Sequence, residues 1–156
     1  MLEHIRLALS GIKSNRFVSD LGLITYAGGD WDDTLQPVQE EMKKRLVSAW
    51  TQALAYQTFH SLSEAVRTTD SSLADELTGL AAVKDAFDRF LIKDQVIAGF
   101  VEYDHGFQYL LHPDDQRTGI HYRLLPMTRS IISELADDKQ AIRNTNLIHQ
   151  YLKCPD

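Results

Sequence analysis

Asp30, Asp32 and Asp33 crowd the glycine-bearing stretch Ala27-Gly28-Gly29-Asp30-Trp31-Asp32-Asp33-Thr34. Carboxylates so close together could supply hard oxygen ligands to Mg²⁺ or Ca²⁺. The spacing does not run on to the distant Glu that a calcium loop needs. The same residues also lead into a helix. Thr34 can cap it and Pro37 suits its first turn, while Asp33, Glu40 and Glu41 complement its dipole. That second reading is preferred, so the three aspartates are not assigned a metal. His105, His112 and His121 form another group with ligand chemistry. The strand register derived below sets His112 beside His121, and two imidazoles that close could share a metal. His105 falls in a distant turn and offers no third ligand. His60 lacks a neighbour at helical metal-binding spacing. No metal and no cofactor are expected. Cys154 is the lone cysteine, so no disulfide can form within the chain, as suits a reducing cytosol.

The elements that would hold these groups centre on Ser72 to Leu125. Val96–Tyr103 and Phe107–His112 are rich in aromatic and aliphatic residues. Asp104-His105-Gly106 between them suits a type I turn closed by a left-handed residue. Tyr103 then pairs with Phe107, Val101 with Tyr109 and Gly99 with Leu111. Alternation places Ile97, Val101, Tyr103, Phe107, Tyr109 and Leu111 on one face. Phe100, Glu102, Gln108 and Leu110 take the other. Ile120–Leu125 alternates again, and setting His112 opposite His121 completes a three-stranded antiparallel meander.

Upstream, Ser72 and Asp75 approximate a capping box, and Gly79 punctuates the end of a short helix. Leu80, Val83, Phe87, Phe90 and Leu91 form the stripe of a second helix. The stretch SLADELTG…AFDRFL resembles the helix-turn-helix part of winged-helix proteins. The resemblance implies a winged-helix-like core over about residues 38–125. Lys84, Arg89 and Lys93 would lie on its candidate reading helix, opposed by Asp85 and Asp88. A groove-reading helix usually carries more donors than that.

A long helix is expected from Val38 to about Thr68, with Met42, Leu46, Ala49, Trp50 and Ala53 on one stripe. Beyond Gln57 the stripe rotates to Phe59, Leu62 and Val66. The helix therefore breaks near Gln57 or is covered on several sides, and Trp50 and Phe59 are candidate contacts for a partner or a second copy. Residues 2–12 form a short amphipathic helix, and Leu23–Tyr26 could be a short strand. The last helix runs over about 128–152, with Met127 before its cap and Asp137-Asp138 as a point of interruption.

That last helix ends Arg143-Asn144-Thr145-Asn146-Leu147-Ile148-His149-Gln150-Tyr151. The order of Arg143 and His149, with Tyr151 two residues on, resembles the signature of HEPN-type ribonucleases, including the HepT toxins. The resemblance implies a metal-independent RNA-cleaving site at a dimer interface. Arg143 would grip phosphate, His149 would move the proton and Asn144 would support them. The plainer alternative is a helix end whose Arg143 and His149 complement the dipole.

At 156 residues and a formal charge of −6, the chain reads as one α+β domain over 1–156, mainly helical, of ordinary globular composition. The acidic balance disfavours non-specific attraction to nucleic acid. No apolar run is long enough to span a membrane, and the start does not read as a signal peptide, so a cytoplasmic protein is expected. The preferred function is a non-enzymatic regulatory or adaptor protein that binds a protein partner or itself. A winged-helix-like DNA-binding regulator and a HEPN-like ribonuclease stand as alternatives.

Overall fold

The computed structural model describes residues 1–15, 17–18, 21–27, 37 and 39–153. Helix α1 (Leu2–Asn15) is followed by a two-stranded antiparallel ribbon, β1 (Phe17–Val18) and β2 (Leu23–Ile24). Helix α2 (Glu40–Arg45) buries no residue and is braced by Lys43–Glu40 and Lys44–Glu41 pairs. The chain then extends into β3 (Leu46–Ser48), which is buried throughout. Helix α3 (Ala49–Val66) starts where the Ser48 hydroxyl accepts from the Thr51 amide. Helices α4 (Ser71–Leu80) and α5 (Val83–Phe90) follow. A second ribbon pairs β4 (Ile92–Lys93) with β5 (Val96–Ile97), and β6 (Phe100–Tyr103) and β7 (Phe107–Leu110) make a hairpin. Helix α6 (Leu124–Ile132), helix α7 (Asp138–Leu147) and a π-helical turn (Ile148–Leu152) complete the described chain. Among the described residues no helix is long and apolar enough to cross a membrane.

Helix α3 is the shared wall of two cores. Its first turns, with Ala49 and Ala53, pack with Phe87 and Leu91 beneath Val47, Ile97 and Val101. Its later turns, with Phe59 and Val66, pack against Leu9 of α1 and Leu73, Ala74 and Leu77 of α4. On the far face of the sheet, Tyr26, Leu46, Phe100, Leu110 and Leu111 form a third cluster.

The hairpin register is as the alternation requires: Tyr103 pairs with Phe107 and Val101 with Tyr109. The sheet is antiparallel and three-stranded, but its order is β3-β6-β7. The third strand is therefore not Ile120–Leu125, and the meander is corrected: Leu46 pairs with Glu102 and Ser48 with Phe100. Two local causes end the expected pattern. Leu111 adopts a left-handed φ of 53°, which turns its side chain into the cluster of Phe100 and Leu110 instead of the Val101 face. Gly99 accommodates it, since a Cβ there would come within 2.6 Å of the Leu111 side chain. The Asp115 carboxylate then accepts from the amides of Leu111, Arg117 and Thr118 and from the Thr118 hydroxyl, folding 111–118 into a closed turn. Pro126 sits in the first turn of α6, where no intrahelical amide donor is needed.

The long helix from Val38 is also corrected. It is interrupted at Leu46–Ser48, not near Gln57, because those residues are drawn into the sheet. The cap of α4 is Asp70, which accepts from the Leu73 amide at 3.0 Å, rather than Ser72. The expected single helix over 128–152 divides at the suspected place, with Asp137 capping α7. Met127 lies inside α6, not before its cap.

Candidate functional site

The Leu46↔Glu102 pairing brings Arg45, at the end of α2, against the β6–β7 hairpin. Glu102 lies on the polar-expected face of β6 yet is 6% exposed. A buried carboxylate needs compensation, and two guanidinium groups provide it. Arg117 donates from Nη1 to Glu102 Oε2 at 2.7 Å and Arg45 donates from Nη2 to Oε1 at 3.4 Å. Arg45 Nη1 also pairs with Asp104 Oδ2 at 2.8 Å. Arg45 Nε is buried and has no hydrogen-bond partner among the described residues.

Of these groups Arg45 and Asp104 line a cleft of about 440 Å³, together with Leu21, Lys44, Val47, Tyr103 and His105. Tyr103 is 41% exposed there. Its ring packs on Phe107 at 5.2 Å, and Phe107 stacks on Phe90 at 5.0 Å, so a row of rings backs it. His105 stands at the apex of the hairpin with a φ of 55°. Ala27, directly before the acidic stretch, donates to the Lys43 carbonyl at 3.0 Å, next to the Lys44 that lines the cleft. Asp30, Asp32 and Asp33 themselves lie outside the described residues, as does Cys154.

The residues singled out from sequence are scattered. Lys84 donates to the Leu135 carbonyl and pairs with Asp88 at 3.4 Å. Burial raises the Asp88 carboxyl above its ordinary range, and Lys84 only partly offsets it. Arg89 lies over the Phe90 ring at 5.0 Å. Lys93 pairs with Asp114 and sits 5.1 Å over Tyr109. Trp50 is half-buried under the Arg129 guanidinium, 5.9 Å away. Phe59 is consumed by the α1–α3–α4 core, where it is 2% exposed.

His112 and His121 are not cross-strand neighbours, because the strand carrying His121 does not form. Both ring nitrogens of buried His112 are engaged. Nδ1 accepts from the Asp114 amide at 3.1 Å, which leaves Nε2–H to donate to the Lys93 carbonyl at 3.1 Å. Among the described residues no group of three or more His, Cys, Asp or Glu is placed to hold a metal ion. Asn144 is fully buried, donating to the Met127 carbonyl and the Ser130 hydroxyl, so it holds α7 to α6. Arg143 and His149 are exposed on α7 and the π-helical turn.

Arg45, Glu102, Tyr103, Asp104 and Arg117 escaped the sequence reading as a group. Their one local signal is Glu102, a carboxylate between apolar neighbours on a strand. Its partner Arg45 lies 57 residues away, and nothing near Glu102 in the sequence announces it.

No family model matches the chain. Among curated proteins it is similar to the 1,2-beta-oligoglucan phosphorylase of Listeria innocua serovar 6a, at 43% identity over 160 residues. The alignment takes in 100% of this chain and 14% of that enzyme, so the chain spans about a seventh of its relative's length. This likeness overturns the expectation of a non-enzymatic adaptor. It is a likeness to a carbohydrate-active enzyme along the entire chain, and the DNA-regulator and ribonuclease alternatives fall with it.

Proposed function

We propose that this chain supplies part of the working structure of a phosphorylase acting on 1,2-linked β-glucan oligosaccharides. The observation that carries the reading is 43% identity extending over 100% of the chain to an enzyme of that name. Phosphorolysis breaks a glycosidic C–O bond with a phosphate oxygen as nucleophile. The departing sugar oxygen takes up a proton, and the cleaved residue leaves as a sugar phosphate. Such a reaction needs a proton donor, a place for phosphate and subsites that grip the glucan on both sides of the bond. The cleft beside Arg45 and Tyr103 offers groups of the right kind for gripping sugar: an exposed ring, carboxylate acceptors and guanidinium donors. A winged-helix-like outline for this segment remains a proposal supported only by the order of two short helices, a ribbon and a hairpin, and the enzymatic reading does not depend on it.

The test is a segment exchange. The aligned part of the Listeria enzyme is replaced by this chain, and phosphate-dependent release of sugar phosphate from 1,2-β-oligoglucan is measured. Turnover within about tenfold of the parent is expected. A folded chimera with no turnover would overturn the reading.

A further inference from the structure

The cleft between the end of α2 and the β6–β7 turn has three features that together select a class of ligand. The first is a held aromatic face. Tyr103 is 41% exposed while its other side is fixed by the Phe107 and Phe90 rings. A pyranose presents a flat C–H face that packs on such a ring, and a rigid ring loses little freedom on doing so. The second is size: about 440 Å³ falls in the range of clefts that enclose small ligands.

The third feature is charge balance. Each of the two basic side chains lining the cleft, Arg45 and Lys44, already faces a carboxylate: Arg45 with Asp104 and Glu102, and Lys44 with Glu41. An anion would have to displace one of these partners. A neutral polyol does not, because its hydroxyls can add to what the pairs leave over. Asp104 engages Arg45 through Oδ2, and a carboxylate offers about four acceptor positions. The Arg45 side chain is 36% exposed, and its Nη1 and Nη2 carry four N–H donors between them against two carboxylate contacts. His105 sits fully exposed at the rim.

We infer that this cleft is an oligosaccharide subsite, in which Tyr103 stacks on a hexose ring while Arg45, Asp104 and His105 bond its hydroxyls. The inference rests on the glucan reading above for the identity of the sugar, a 1,2-linked β-glucan. It places the subsite on the hairpin tip, where His105 is the one histidine weighed from sequence that it takes in.

The test is titration of the chain with 1,2-β-glucooligosaccharides, followed by amide chemical shifts and calorimetry. Inorganic phosphate and a 1,4-linked β-glucooligosaccharide serve as comparison probes. Shifts are expected at Lys44, Arg45 and Tyr103 to His105. Tyr103→Ala should weaken binding by about tenfold or more, while Tyr103→Phe keeps it, since the ring does the work. Ile142→Ala, on the exposed face of α7, should leave it unchanged. The inference is overturned if no glucan shifts the cleft amides, if Tyr103→Ala binds as well as the parent, or if phosphate binds there and glucan does not. An active segment-exchange chimera together with a silent cleft would remove the subsite and leave the phosphorylase reading standing. Tyr103-dependent glucan binding with an inactive chimera would do the reverse.

Discussion

The two ends of α3 sit in different kinds of interior. Its later turns meet α1 and α4 in a cluster built from apolar side chains, with charges such as Arg6, Asp70, Lys13 and Glu76 paired only at the rim. Its first turns meet β2 and the sheet, where polar groups are taken inside: Ser48, Gln52, Glu102, His112 and Asp115. In the first region, shape and volume decide stability. In the second, each buried polar atom must find a specific partner, so position matters as well as size. The cleft with Arg45 and Tyr103 belongs to the second region, where the chain tolerates costly groups.

The sharpest way to break this comparison is to make volume changes in one half and polarity changes in the other. Leu77→Ala in the helical half removes fully buried methyl groups and should cost about 2–5 kcal/mol in urea unfolding. Leu77→Met, which keeps volume, should cost less than about 1.5 kcal/mol. Gln52→Leu also nearly keeps volume, yet it should cost about 1–3 kcal/mol. The Gln52 side chain donates to the Ile24 carbonyl at 2.7 Å and accepts from the Ile24 amide at 3.0 Å, and leucine leaves both unpaired. Equal losses for Leu77→Met and Gln52→Leu would erase the distinction between the halves.

The smallest expected effect is a pH dependence confined to the polar half. Burial pushes the Asp115 carboxyl up, but hydrogen bonds from the Thr118 hydroxyl and the Leu111, Thr118 and Arg117 amides outweigh it and hold the group below its ordinary range. A depressed folded-state value means the stabilisation is complete above the unfolded value of about 3.9 and is lost as pH falls through the folded one. Melting temperature followed into acid should therefore drop below about pH 4, and Asp115→Asn should remove that part of the drop. A variant whose acid profile matches the parent's would show that the turn does not depend on the charge.

Local chemistry made some of this fold legible. Asp104-His105-Gly106 and the alternation around it fixed the β6–β7 register, and Asp137-Asp138 marked the start of α7. What stayed hidden was non-local. Leu46–Ser48 reads as helix because its stripe continues that of Trp50 and Ala53, and only the distant edge of β6 makes it a strand. Ile120–Leu125 alternates like a strand but does not add to the outer edge of β7, because the Asp115 turn and the left-handed Leu111 direct the chain away. Pro126 was the overlooked signal, since a proline there is compatible with a first helical turn. The cleft was illegible for the same reason as β3: Arg45 and Asp104 meet only once β3 pairs with β6.

The Gln52 amide acts on Ile24 as a neighbouring peptide group would, offering one donor and one acceptor to a strand of only two residues. The lifetime of that strand is therefore tied to α3 rather than to its own ribbon. The Ile24 amide should resist hydrogen–deuterium exchange far longer than a two-residue ribbon normally would, opening only when α3 detaches. Measured exchange of Ile24 at the rate of the Gln52 backbone amide would show the two leaving together.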